Sequence, residues 1–306
     1  MRPFKFRPFL FALAGLALIA SACGSSGGGS PASTTKSSIT VAGFNFNESS
    51  ILAYMYGKAL ADKGYPVKYK LNLGSREVVE PALEHGDIDL YPGYAATELE
   101  FINKGKGEAS GDPAATVAKL NTYLGPKKLD ALTASPAADG NAFAVTKKTA
   151  DQYSLKKLSD LAPIANKLTL GGPAECPTRP FCQAGLVKTY GLNFKAFKPL
   201  DAGGPLTKTA LSNGDIDVGL VFSSDGGIVA KNFVVLQDDK QLEAADNIVP
   251  VIRQAVENQE VKDLLNKIDA ALTLTDLTAM NKAADIDKQD PDALAQKWLK
   301  DHGFVK

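Results

Sequence analysis

Cys176 and Cys182 stand six residues apart in Glu-Cys-Pro-Thr-Arg-Pro-Phe-Cys-Gln, a spacing open to a disulfide or to part of a metal site. Structural zinc sites need about four ligands. The only histidines, His85 and His302, have no matching ligand spacing, so a disulfide is expected once the chain is outside the cytoplasm. The next candidates are aromatic. Tyr91 and Tyr94 flank a Pro92-Gly93 turn, while Phe46 and Phe222 lie at predicted strand ends beside polar turns, where ring faces can form a binding wall. Arg179, inside the cysteine loop, is suited to a bidentate clamp on a ligand carboxylate. Gly74-Ser75 opens a predicted helix whose free N–H groups can hold an anionic group. Asp89 precedes Tyr91 by two residues, but its motif recurs around Asp217, so the motif alone does not make a site. No G-x-S-x-G, P-loop or H-E-x-x-H pattern occurs. The inventory favours binding over catalysis and calls for no metal or cofactor. A secreted hydrolase is the alternative of another class, which turnover of model esters or phosphates would reveal.

The elements that must position these groups come in two similar sets. Ala82-Leu-Glu-His-Gly-Asp-Ile-Asp-Leu90 recurs as Ala210-Leu-Ser-Asn-Gly-Asp-Ile-Asp-Val218. Each copy reads as a helix end, a glycine stop and a short buried strand, because glycine takes the left-handed conformation past a helix end without a Cβ penalty. The first set continues outward as strand 38–43, a helix after Asn47, strand 67–73, helix 75–84 and strand 88–91. The second has strand 168–171, a helix near 185–190, strand 196–200, helix 206–212 and strand 216–222. Strand–helix alternation predicts largely parallel sheets. The expected fold is therefore α/β and bilobed, of the type II periplasmic-binding-protein kind, with two α/β lobes joined by a two-strand hinge. Thr133–Asp139 reads as the first crossing and Val234–Asp239 as the return. Residues 39–135 and 238–306 would form lobe 1, and 136–237 lobe 2. The apolar positions after Asn247 read as helices that pack on lobe 1.

Arg2, Lys5 and Arg7 precede the apolar run Phe9–Ala20, a leader too short to span a bilayer comfortably. Ala20-Ser-Ala-Cys23 then resembles a bacterial lipobox, with Cys23 as the lipidated first residue of the mature chain; the leader would be residues 1–22. Residues 23–38, rich in glycine, serine and threonine, form a flexible tether with nothing to bury. Basic and acidic side chains number 34 each, and three of the basic ones lie in the leader, leaving a formal charge of −3. That balance argues against a nucleic-acid partner.

Taken in order, five segments resemble the substrate-binding proteins of osmoprotectant ABC importers, the glycine betaine/choline/carnitine-binding family. They are Gly43-Phe-Asn-Phe-Asn-Glu48, Leu71-Asn-Leu-Gly-Ser-Arg-Glu-Val-Val79, Gly86-Asp-Ile-Asp-Leu-Tyr-Pro-Gly-Tyr94, Arg179 with Gly185-Leu186, and Gly214 through Asp225. The resemblance runs from about Ile39 to Phe304. It implies a monomeric, hinge-closing receptor that hands a compatible solute to membrane permease subunits. Ligands of this family carry a permanent ammonium with no N–H to donate, which ring faces aided by a carboxylate can hold. Carried over by motif, the cage tyrosine is Tyr91, with Asp89 beside it, and the other aromatic walls are Phe46, with Phe44 as its alternative, and Phe222. Asn141 and Gln183 stand where aromatics are usual, and Phe222 replaces a tyrosine. An incomplete cage implies either a quaternary ammonium solute or, in the same transport role, a more polar or aromatic one.

Overall fold

The computed structural model describes residues 36–306. The leader, Cys23 and most of the tether lie outside the described residues. Ten strands form two five-stranded sheets. In chain order they are β1 (Ile39–Ala42), β2 (Val67–Lys70), β3 (Leu90–Tyr94), β4 (Leu129–Ala131), β5 (Asn141–Thr146), β6 (Thr169–Pro173), β7 (Ala196–Leu200), β8 (Val218–Phe222), β9 (Phe233–Leu236) and β10 (Ile248–Arg253). The helices are α1 (Asn47–Asp62), α2 (Arg76–His85), α3 (Ala95–Ile102), α4 (Pro113–Leu124), α5 (Lys147–Tyr153), α6 (Gln183–Gly185), α7 (Pro205–Asn213), α8 (Gly227–Ala230), α9 (Gln259–Ala271), α10 (Leu274–Asp285) and α11 (Pro291–Asp301).

The sheet orders are β2-β1-β3-β10-β4 and β7-β6-β8-β5-β9. Each has three parallel strands, and a fourth strand, β10 or β5, that runs antiparallel to both of its neighbours. Those two strands follow the hinge crossings, which is how one chain closes two similar sheets. The bilobed α/β expectation holds.

The internal repeat has a structural cause. Gly86 and Gly214 sit at φ 82° and 78°, ending α2 and α7 in the left-handed conformation. The second aspartate of each motif then ties its strand to the preceding one. Asp89 accepts the Thr40 N–H at 2.9 Å while its own N–H donates to Thr40 O at 2.8 Å. Asp217 does the same with Thr169, at 2.8 and 3.0 Å. The repeated aspartates are a sheet-building device.

Three sequence boundaries move. Strand β3 continues through Pro92 and Gly93 to Tyr94, paired all along with β10. Proline is tolerated there because β1 pairs with β3 only at Leu90, so the missing N–H breaks no bond on that side. Val234–Asp239, read as the return crossing, instead supplies most of β9. The chain returns further on, where Asn247 bridges to Ala138 and Asp139 N–H donates to Asp246 O at 2.9 Å. Finally, β10 precedes the C-terminal helices. Their apolar faces, including Val261, Leu265, Leu277, Trp298 and Leu299, then enter the core of the first sheet beside α1.

Cys176 and Cys182 are bonded and buried. The loop they close packs on α6 at Gly185, where a Cβ would fall 1.8 Å from the Pro180 carbonyl oxygen.

Candidate functional site

A cleft opens where the two lobes and both hinge crossings meet. It is lined by Phe44, Phe46 and Tyr94 from lobe 1, Phe222 and Asn141 from lobe 2, and Asp139 and Asp246 from the crossings. Ser75 and Arg76 at the start of α2 and Arg179 of the cysteine loop complete the charged lining. Its free volume, about 60 Å3, suits a compact group.

The rings form one cluster. Phe46 stacks on Phe44 with centroids 5.8 Å apart and lies 6.2 Å from Tyr94. Across the cleft, Phe46 and Phe222 approach to 5.7 Å. The Arg76 guanidinium covers the Phe44 ring at 5.2 Å, and of the clustered rings only Phe46 and Phe222 are half-buried rather than buried. Arg76 is buried and pairs with Glu98 at 2.8 Å. Burial opposes its charge, but Glu98 more than compensates and holds the guanidinium proton above its ordinary range.

The acids of the cleft are buried too. Asp246 caps α3, accepting N–H bonds from Ala96 and Thr97 at 2.9 and 3.0 Å. Burial pushes its carboxyl up to about 6, against the lowering effect of those N–H groups. The folded protein thus holds this proton more tightly than the unfolded chain. The associated stability is present below about pH 4 and is lost as pH rises through about 6. Relative to Asp246→Asn, the wild type is expected to lose up to about 3 kcal/mol between pH 4 and 7. Denaturant titrations of both proteins at the two pH values check this; a constant difference would refute it.

Behind the rings, Glu48 joins the lobes. One of its oxygens accepts the Tyr94 hydroxyl at 2.6 Å, and the other accepts Ser224 of lobe 2 at 2.7 Å together with the Asn281 amide. Asp139 accepts the Ser224 N–H at 2.8 Å. Burial, then mutual repulsion with Glu48, pushes Asp139 well above the usual carboxylate range, and burial raises Glu48 as well. Two further ion pairs cross between the lobes: Arg179 with Glu77 at 2.8 Å, and buried Lys208 with Asp285 at 3.3 Å.

Among the residues selected from sequence, Phe46, Tyr94, Phe222, Asn141, Arg179 and Ser75 are brought together at the cleft. Gly74 precedes Ser75 with φ 142° and does not itself line it. Arg179 is engaged by Glu77 and Glu175, and the Asn141 amide donates to Phe181 O at 2.7 Å. Three selections lie elsewhere. Asp89 is at the opposite end of β3 from Tyr94, paired with Arg253 at 2.8 Å. Tyr91 is fully buried in lobe 1, edge-on to Phe44 at 5.5 Å, because β3 carries on three residues past it. Gln183 lies on α6 outside the cleft lining, its amide oxygen buried without a partner. Phe44, the sequence alternative to Phe46, lines the cleft as well, whereas sequence reasoning missed Arg76, Asp139 and Asp246 as lining residues. Arg76 was within reach, since it directly follows Ser75 in a quoted segment. Asp139 and Asp246 were not, since only the paired crossings bring them together.

Two lobes that meet over a cleft of rings and buried charges define a bilobed solute-binding protein. The chain belongs to the OpuAC family, the substrate-binding domain of ABC-type glycine betaine transport systems, whose family model matches residues 37–301. It is a substrate-binding protein of glycine betaine/carnitine-type ABC transport. It is 27% identical over 279 residues to the carnitine transport binding protein OpuCC of Listeria monocytogenes, covering 89% of each chain. To a glycine-betaine-binding protein of Pseudomonas aeruginosa it is 27% identical over 280 residues, covering 87% of this chain and 88% of the relative. A crystal structure described as a glycine betaine/carnitine/choline ABC transporter superposes with a TM-score of 0.68 at 27% identity, covering 88% of this chain and 100% of that one. Among the described residues, no helix is long and apolar enough to cross a membrane.

Proposed function

We propose that the protein captures a quaternary ammonium solute of the glycine betaine, choline or carnitine class between its lobes and delivers it to an ABC permease. One observation carries this reading: Phe46 and Phe222, from different lobes, meet with ring centroids 5.7 Å apart and tilted by 34° in a cleft that also holds Asp139 and Asp246. A quaternary ammonium group cannot donate an N–H, so ring faces and the Asp246 carboxylate, ionised above about pH 6, are the groups able to hold it. The N-terminus of α2, where Ser75 lines the cleft, offers its free N–H groups to a carboxylate at the ligand's other end. A ligand that touches both lobes favours closure through contacts that an open form lacks. Relatives named for carnitine and glycine betaine binding support the same class.

Titration calorimetry with glycine betaine, carnitine and choline tests the assignment. Stoichiometric binding of at least one is expected, accompanied by a rise in melting temperature. Binding of a neutral sugar or an ordinary amino acid in preference to all three would sink it.

The reading extends to placement. Cys23 would carry a lipid that holds the receptor at the outer face of the membrane, with the tether giving it reach. Cys23→Ala should move the protein from the membrane fraction to the soluble one or stop its processing. Normal cleavage with unchanged membrane retention would refute lipidation.

A further inference from the structure

Beside the cleft lies a larger chamber of about 700 Å3, and the two share Arg76, Thr97, Asn141 and Arg179 as a common wall. One side of it comes from α3 and the turn that follows, the other from the cysteine loop and α6. Half-buried Phe101, Phe181 and Leu242 line it. Glycines set its width. Gly185 lets the cysteine loop lie directly on α6, and Gly105, at φ 72°, lets the lobes meet with Pro180 only 3.2 Å from where a Cβ would stand.

The acids of this chamber are already engaged. Glu77 is paired with Arg179. Glu100 accepts the N–H groups of Gly107, Glu108 and Ala109 at 2.6–2.8 Å. Lys104 and Lys188 are exposed and make no salt bridge among the described residues. The chamber therefore offers an apolar patch of Phe101, Pro180, Phe181, Ala184 and Leu242 within a polar, mildly positive lining, with no free carboxylate to attract a second cationic group. Its neighbour, at about 60 Å3, accommodates only a compact head. A short betaine would leave the ring faces of the larger space against water, whereas a chain attached to the head would cover them.

We propose that the chamber is a tail subsite, and that the preferred solutes are quaternary ammonium compounds bearing an apolar chain, such as acyl esters of a hydroxylated betaine. This rests on the reading of the cleft as the ammonium site. The two spaces then act as one elongated site, with the head held at the rings and the chain running past Asn141 toward Leu242.

Titration calorimetry of the full chain with L-carnitine, acetyl-L-carnitine and hexanoyl-L-carnitine separates the two readings. A buried methylene strengthens binding by up to about fourfold, so the hexanoyl ester should bind at least about tenfold tighter than the acetyl ester even when only partly covered. Ala184→Phe, which fills the chamber, should abolish that advantage while leaving carnitine affinity unchanged. Leu242→Ala opens the chamber instead and should reduce the advantage severalfold, which keeps the test decisive if the larger side chain is not accepted. Equal or weaker binding of the hexanoyl ester by the wild type, with carnitine still bound, overturns the tail subsite and leaves the cleft assignment standing. Failure of all three compounds to bind removes both.

Discussion

Tyr91→Ala is expected to lower the unfolding free energy by about 3–5 kcal/mol, the cost of emptying a large aromatic site in a packed core. Affinity in the folded fraction should be unchanged. The ring is fully buried against Phe44 and lies outside the cleft lining. Its hydroxyl faces the Glu98 carboxyl group without making a hydrogen bond of good geometry, and burial, then that neighbouring charge, raises its pKa well above the ordinary phenol value. Tyr91→Phe should therefore be neutral or slightly stabilising, since it removes a buried polar atom that has no partner. Denaturant titration and calorimetry on the same two variants check both halves. A loss of affinity without a loss of stability in Tyr91→Ala would restore Tyr91 to the ligand site.

Phe222→Ala is expected to do the reverse. Its ring lies at the end of β8, half-buried and open to the cleft, so truncation leaves the sheet intact. The loss in binding should be about 1–3 kcal/mol, roughly 5- to 150-fold in Kd, combining lost apolar burial with lost attraction between the ring face and the cation. Phe46→Ala should weaken binding similarly but also cost stability, because Phe46 packs on Phe44 and Tyr94 as well. Tyr94→Phe keeps the ring and releases one bond to Glu48; if ring faces hold the ligand, its affinity should stay close to wild type. Unchanged Kd in both alanine variants, measured with whichever solute binds the wild type, would place the ligand elsewhere.

The contrast between Tyr91 and Tyr94 shows where sequence reasoning reaches its limit. Pro92-Gly93 is a turn signal by local rules, and placing the strand exit at Tyr91 follows from it. In the fold, β10 arrives from far along the chain and pairs with Leu90 through Tyr94, which carries the strand past the turn signal and moves its exit to Tyr94. Long-range pairing overrode a local preference, and the tyrosine that reaches the cleft changed with it. Asp89 illustrates the same limit differently. Its repeat partner Asp217 already suggested a role other than ligand binding, and the matched bonds to Thr40 and Thr169 supply that role.

By itself the sequence determined the features that depend on local chemistry and period. These are the glycine stops after α2 and α7, the two α/β lobes, the cysteine pair, and the aromatic ends at Phe46 and Phe222. Helix ends and strand tips are set by neighbours a few residues away, so their signals survive in one dimension. Only the tertiary structure decided that Asp139 and Asp246 lie side by side, that Arg179 is held by Glu77, and that Arg76 rather than a ligand covers Phe44. Those relations arise between residues far apart in the chain, where the two hinge crossings pair and the lobes meet. A buried charge there settles on whichever partner the packing brings within reach, because leaving it unpaired costs more than any local preference can offset.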